Sequence, residues 1–556
     1  MSTEKYVTYL EFGAKGDGVS DDFAAICAAH EYANKNNIPV VIDDGRTYLI
    51  RETLVDGMVR TATMKTDVVW GSARIIIDDT DVDYFDGSGR SKSPIFKVES
   101  DYEAFDITDS SVLDALSGIG EGTKKVALSL GFDALLMIYN ENHSVYHRYG
   151  ASYISRGGQS SPQHEIILVD AEGNVDESTP FMFDYDTVTR VTVLRCDDKP
   201  ITLHGGIFTT LASHANAYDY KNERRAVYYH RNIHINRSNT TLCGVEHYVK
   251  NEVPLSQFME EKLHGAHYIG FYKAYCANEV TLKDCVFTGR TSYRFSTYEF
   301  YADHINKIRL DGCTQSNFTL LDEEGNTVYS MSPSKITEWP RCWGIGGTNF
   351  CKNMEYYNCK LSRFDAHQGL YNGKVVNSTI NFMEIIGKGE LLLDNVKWYS
   401  PAGRIYNSFA YLRDDYGCTW DGTITFKDCT MHPSSGDAYV FFYSYKNWDY
   451  GYKCFFPNLV IDNPTIIGLS DGAKIHVVNE YGSVKREPNM HRAQTLNSPQ
   501  KNHKGEDDPE NMTNANIVTP PSFIRIVNNN SGCEFYLPRC DFFENTEKVG
   551  VVLLDI

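Results

Sequence analysis

The chain has 556 residues, 13% of them aromatic with 37 tyrosines, and a net charge of −20. That length excludes a single compact core, and that charge excludes nucleic acid as a general partner; a strongly anionic polymer would need a local basic patch. No run of residues is apolar enough to span a membrane, and the 14 cysteines include no Cys-x-x-Cys pair, so neither a membrane nor a structural zinc is expected. No cofactor is expected either. Met1-Ser-Thr-Glu-Lys-Tyr6 has no apolar signal core, which points to a cytoplasmic, reducing setting, or to a secreted one if the N-terminus has been trimmed.

In chain order, the first feature is residues 12–34. Gly13, Gly16 and Gly18 mark a tight loop. Ser20 is the expected N-cap, with Asp21 and Asp22 in the first turn of an alanine-rich amphipathic helix that runs to Asn34. Such a helix can cover the first rung of a β-coil. Phe12-Gly-Ala-Lys-Gly-Asp-Gly-Val-Ser-Asp-Asp22, followed by Ala24-Ala-Ile26, resembles the N-terminal signature of the pectate-lyase-like superfamily. That superfamily includes polygalacturonase-type glycoside hydrolases, phage tailspikes, lyases and epimerases. The resemblance spans about 25 residues and implies a right-handed parallel β-helix acting on, or binding, carbohydrate. Of the polygalacturonase pattern the chain carries Asp414-Asp415 but neither Asn-Thr-Asp nor Gly-His-Gly, and it shows no calcium-carboxylate cluster.

Residues 1–100 read as this cap and the first turns, with strands at Val40-Val-Ile42, Thr47-Tyr-Leu-Ile50, Val68-Val-Trp70, Ile75-Ile-Ile77 and Ile95-Phe96. Residues 101–190 break the period and read as a lateral insertion. Within them Glu165–Asp170 and Thr179–Asp184 flank Ala171-Glu-Gly-Asn-Val175, a hairpin signal.

Residues 191–468 carry a six-place phrase. Its copies are Val280-Thr-Leu-Lys-Asp-Cys285, Ile308-Arg-Leu-Asp-Gly-Cys313, Met354-Glu-Tyr-Tyr-Asn-Cys359, Leu391-Leu-Leu-Asp-Asn-Val396, Ile424-Thr-Phe-Lys-Asp-Cys429 and Leu459-Val-Ile-Asp-Asn-Pro464. The first and third places are large and apolar, the fifth is Asp, Asn or Gly, and the sixth is most often Cys. The fifth places are 28, 46, 37, 33 and 35 residues apart. Alternation ending on a turn residue, repeated at this interval, means short strands stacked turn on turn. Weaker copies at Ile75-Ile-Ile-Asp-Asp79, Val191-Thr-Val-Leu-Arg-Cys196 and Ile233-His-Ile-Asn-Arg237 extend the series upstream. Residues 469–556 read as a polar loop, 487–520, and capping strands. The expected fold is therefore all-β: a single-stranded parallel β-helix with an N-terminal capping helix and a lateral β insertion.

The polar residues after each phrase are the functional candidates. Arg363, Asp365 and His367 alternate with Phe364 and Ala366, which places the three on one outward face. The next rung supplies Arg413, Asp414 and Asp415, so Asp365 and one of these acids are expected roughly 5 to 10 Å apart. Paired carboxylates at that distance are the machinery of glycoside hydrolysis, with Asp365, Asp414 and Asp415 as catalytic candidates. Arg363, His367, Arg413, Arg290, Arg294, Glu299, Asp303 and Trp343 are the substrate-binding candidates. A lyase or epimerase, with Tyr293, Arg294, Arg363 and His367 near a uronate, and a non-catalytic glycan-binding spike are the alternatives. The expected partner is a carbohydrate, with homo-oligomerisation open.

Overall fold

The computed structural model describes residues 5–55, 57–83, 89–148, 159–214, 229–253, 268–290, 297–316, 348–399, 408–413, 419–433, 454–469 and 521–536, with shorter pieces between them. Two compact units emerge. The first comprises Met1–Glu103, Cys196–Gly347 and Asn358–Arg363, the second Ala104–Arg195, Thr348–Tyr357 and Phe364–Ile556. The architecture is a right-handed parallel β-helix with an N-terminal helix and a lateral antiparallel sheet.

In the first unit the phrases stack in register. Thr240 pairs with Val280 and Val280 with Ile308, and Leu242, Leu282 and Leu310 follow as a second buried column. In the second unit Gly373 pairs with both Met354 and Leu391; Leu391 then pairs with Ile424, Ile424 with Leu459 and Leu459 with Ile524. The Gly373 rung is absent from the sequence reading. Gly373-Lys-Val-Val-Asn-Ser378 fits the phrase only at its third and fifth places, so the 37-residue interval holds two turns rather than one.

The fifth place explains itself by backbone conformation. Asp284, Gly312, Asn358, Asn395, Asp428 and Asn463 have φ between 50° and 68°, the left-handed region that Gly, Asn and Asp tolerate. Their side chains add a ladder: Asn395 Nδ2 donates to Asn377 Oδ1 at 2.9 Å, and Asn463 Nδ2 to Asp428 Oδ1 at 2.7 Å. At the sixth place Cys285, Cys313, Cys359 and Cys429 are buried thiols that donate to main-chain carbonyls of the preceding rung, Cys313 to Leu282 O at 3.3 Å and Cys429 to Leu393 O at 3.5 Å. Burial pushes the Cys429 thiol up to about 12, which leaves it an inert space-filler.

Aromatic rings fill the coil. In the first unit Trp70, Phe208, Phe271, Tyr272 and Phe287 form a chain with centroids 4.8–5.4 Å apart, mostly edge to face. In the second, Phe409 lies 3.8 Å from Trp398 and 5.0 Å from Phe426. Trp420 is fully buried and donates to Gly389 O at 3.0 Å.

The capping helix runs Phe23–Asn36 and buries Phe23, Ile26, Cys27, Ala29, His30 and Ala33. Ser20 is not its N-cap. Asp17–Asp21 pairs as a strand with Thr47–Ile50, and Asp17 takes both the amide and the hydroxyl of Ser20, so the helix starts beyond Asp22.

The antiparallel sheet orders Gln159–Val169, Ala134–Arg148, Arg190–Arg195 and Phe105–Ile107. Two expectations change here. Val191–Arg195 pairs with Ile138–Ala134 in this sheet and is not a rung of the coil. Glu165–Val169 pairs with Ala134–Ile138 rather than with Thr179–Asp184; the Asp170–Asn174 turn is present but leads to a single bridge, Val169 to Val175. The sheet is tied to the coil of its own unit by a fully buried pair, Lys352 Nζ to Glu165 Oε2 at 2.7 Å, with Lys352 also donating to Pro180 O. Among the described residues no helix is long and apolar enough to cross a membrane.

Candidate functional site

Three of the expected residues meet in the second unit. The six-stranded sheet begins Arg363–Asp365, Phe382–Ile385, Ser408–Leu412. Ala366 N donates to Glu384 O and Ile386 N to Ala366 O, which sets Ala366 opposite Ile385 and Asp365 opposite Glu384. Glu384 in turn pairs with Tyr411. Arg413 enters just past this strand, its amide held by Ile385 O.

Arg413 Nη1 donates to Asp365 Oδ1 at 3.2 Å and lies 3.6 Å from Glu384 Oε2. The side chains of Asp365 and Arg413 are 1% and 3% exposed, that of Glu384 14%. His367 stands beside them. Its Nδ1 bonds Asn349 Oδ1 at 2.9 Å, and the Tyr416 hydroxyl bonds its Nε2 at 3.3 Å. Tyr416 also lies under the Arg413 guanidinium, 5.4 Å from ring to Cζ. The arrangement is two carboxylates on neighbouring rungs sharing one arginine, with an imidazole alongside.

The outward position predicted for Arg363 and Asp365 does not hold: all three residues of Arg363–Asp365 are buried. Glu384 was missed, because it lies on the strand after the unrecognised Gly373 rung. Asp414, Asp415, Arg294, Tyr293 and Trp343 lie outside the described residues.

Arg290 and Glu299 sit in the interior of the first unit instead of on a groove. Glu299 contacts His247 Nδ1 and accepts from Thr288 N at 3.2 Å, while His247 Nε2 and Thr210 Oγ1 are 2.9 Å apart. His247 stacks on Phe271 at 3.7 Å, and Arg290 lies 3.7 Å above Tyr268. Burial holds the Glu299 carboxyl well above the usual carboxylate range and the His247 imidazole well below its own, which favours the neutral form of each. Arg231, also fully buried, donates to Asp79 Oδ1 at 2.7 Å and to Thr53 Oγ1 at 2.9 Å.

Among the described residues, Asp303 is the substrate-binding candidate of the first unit that faces outward. Two columns run across its rungs: Lys97, His234, Lys273 and Tyr301, and beside them Glu99, Asn236, Tyr275 and Asp303. Phe96, Ile233, Tyr272 and Phe300 point the other way, into the core. Burial would raise the Asp303 carboxyl, but the His304 imidazole and the Tyr301 hydroxyl outweigh it and hold it below the ordinary range. Burial pulls the Lys273 ammonium down against the attraction of Asp303.

No family profile matches the chain, and no curated protein matches it. Among solved structures it is similar to the tailspike gp61 of Pseudomonas phage phi297, at 10% identity and a TM-score of 0.43 over 86% of this chain and 80% of that one. The surface adhesin PfbA of Streptococcus pneumoniae is similar at 10% identity and 0.35, over 85% and 93%. An exopolygalacturonase from Thermotoga maritima is similar at 9% identity and 0.28, over 84% and 88%. At such scores neither activity nor site residues transfer to this chain.

Proposed function

We propose that the protein is carbohydrate-active and that its second unit hydrolyses a glycosidic bond in a poly- or oligosaccharide, with Glu384 and Asp365 as the paired carboxylates. The observation that supports this is the meeting of both acids at one arginine nitrogen. Oxygens 3.2 and 3.6 Å from Arg413 Nη1 stand no more than about 7 Å apart, a bound that admits the roughly 5 to 5.5 Å separation of retaining enzymes and the short edge of inverting ones. Glu384 is the more exposed, and it serves as the acid that protonates the leaving oxygen. Asp365, held against Arg413, supplies negative charge to the oxocarbenium-like transition state. His367, locked between Asn349 and Tyr416, holds the Tyr416 ring beside Arg413.

The test is release of reducing ends from plant, host and microbial glycans. Wild type is expected to turn over at least one of them. Glu384→Gln and Asp365→Asn are expected to lose about 10²–10⁴-fold in rate, Glu384→Gln without a change in melting temperature. Absence of turnover on the whole panel defeats the hydrolase reading, and glycan binding retained in that case assigns a binding protein.

The outward columns of the first unit favour a second reading. A lysine of lowered basicity beside Tyr301, Asp303 and His304 suits proton abstraction next to a uronate carboxylate, the chemistry of a lyase or epimerase. Ultraviolet-absorbing unsaturated products, lost in Lys273→Met, are the result that selects it.

A further inference from the structure

A cavity of about 540 Å³ opens in the first unit where the end of the capping helix meets the turns of successive rungs. That volume falls within the range of small-molecule sites. The columns and carboxylates discussed above do not line it.

Its floor is a locked ion pair. Asp197 and Arg237 have side chains only 4% and 7% exposed, with Arg237 Nε 3.5 Å from Asp197 Oδ1. Ser100 Oγ donates to Asp197 Oδ1 at 2.8 Å and Ser238 N to Oδ2 at 3.2 Å, while Arg237 Nη2 donates to Lys199 O at 2.7 Å. These polar groups are pre-positioned, with little freedom left to lose on binding.

One wall carries the Lys65–Asp101 ion pair at 3.2 Å. Tyr102, 38% exposed, stands at the lip and offers a ring face. Thr66, only 7% exposed, also lines the cavity, and its Oγ1 is buried without a hydrogen-bond partner among the described residues. A buried hydroxyl in that state costs free energy that a ligand oxygen would recover. The charges nearly cancel: Asp67, Asp101, Asp197 and Asp198 face Lys65, Lys199 and Arg237. Such a lining, with one acid in excess, has little net field to select a strong anion or cation, but it has many donors and acceptors.

We propose that this cavity binds a neutral polyhydroxylated ring, one sugar unit either free or at the end of a chain, with Thr66 and the carboxylates taking hydroxyls and Tyr102 stacking on the ring. The site is separate from the carboxylate pair of the second unit, and its binding is read independently of turnover.

The experiment is saturation-transfer NMR and titration calorimetry on the full chain, using glucose, galactose, mannose and N-acetylglucosamine, with their short oligomers in parallel and glucuronate and glucosamine as charged comparators. At least one neutral sugar is expected to bind. Tyr102→Ala is expected to weaken it about tenfold, the loss of one stacking contact. Thr66→Val, nearly the same shape without the hydroxyl, is expected to weaken it several-fold. Both variants are expected to keep reducing-end release, Tyr102→Ala with the wild-type melting temperature and Thr66→Val with one no lower. Monosaccharide binding as tight as that of the oligomers assigns the free sugar; tighter oligomer binding assigns a chain end. No neutral sugar binding, binding unchanged in both variants, or preference for glucuronate or glucosamine each overturns the proposal.

Discussion

The two units each bury a cluster of charged side chains, and the clusters differ in one respect. In the first, Asp79, Arg231, His247, Arg290 and Glu299 are at most 8% exposed; Arg231 pairs with Asp79 and His247 with Glu299, with Thr53, Thr210 and Thr288 as further partners. In the second, Asp365 and Arg413 are as deeply buried, but Glu384 keeps 14% of its side chain at the surface. The same residue types thus hold a coil together in one place and present a group to solvent in the other. Exposure of a single member separates a structural cluster from one that can meet a ligand.

Removing one member should hurt the enclosed cluster most. Arg231→Met leaves Asp79 buried without its cation and is expected to cost about 3–5 kcal/mol of stability, measured by urea denaturation. A loss below about 1 kcal/mol would break the comparison. The paired test comes next. Glu384→Gln is expected to lower turnover about 10²–10⁴-fold at unchanged stability, whereas Glu299→Gln, inside the enclosed cluster, is expected to leave turnover intact. Equal activity in both variants removes the distinction between the clusters.

The buried histidines of the first unit give a pH signature. Burial lowers His30 to about 3, and burial, with the positive charge of Lys273, lowers His230 to about 4. Each is depressed below its unfolded value near 6.5, so the unfolded chain takes up more protons. The stability they contribute is present above about pH 6.5 and is lost as the pH falls towards 4, by roughly 1.4 kcal/mol per pH unit for each histidine. Denaturation midpoints that stay level from pH 7 to 4.5 would show that these rings are solvated. The smallest effect belongs to the turn ladder. Asn463→Ala at φ 50° is expected to cost about 1 kcal/mol, and Asn463→Gly less, because glycine accepts the conformation.

The coil was legible because its rules are local. A left-handed turn admits Asn, Asp or Gly, and a strand with one buried face alternates, so Asp284, Asn358 and Asn463 announce themselves in sequence together with the apolar pairs before them. Gly373 escaped because a rung can be held by its neighbours on both sides, Met354 and Leu391, without its own large first-place residue. Val191–Cys196 misled for the complementary reason: alternation is the same in an antiparallel sheet as in a coil, and only pairing tells them apart.

The site was legible in part. Asp365, His367 and Arg413 were chosen from spacing, and they do converge. Glu384 was not chosen, since skipping one rung puts the wrong residue opposite Asp365. Glu299 and Arg290 read as groove residues because their partners His247, Tyr268 and Thr288 come from other turns, and a charge looks exposed until those partners are known. Local chain chemistry determined the repeating turn, the alternation and the capping helix of this protein. Tertiary structure alone decided which side chains stand over one another and which charges are enclosed, because register and burial depend on contacts between residues tens to hundreds of positions apart.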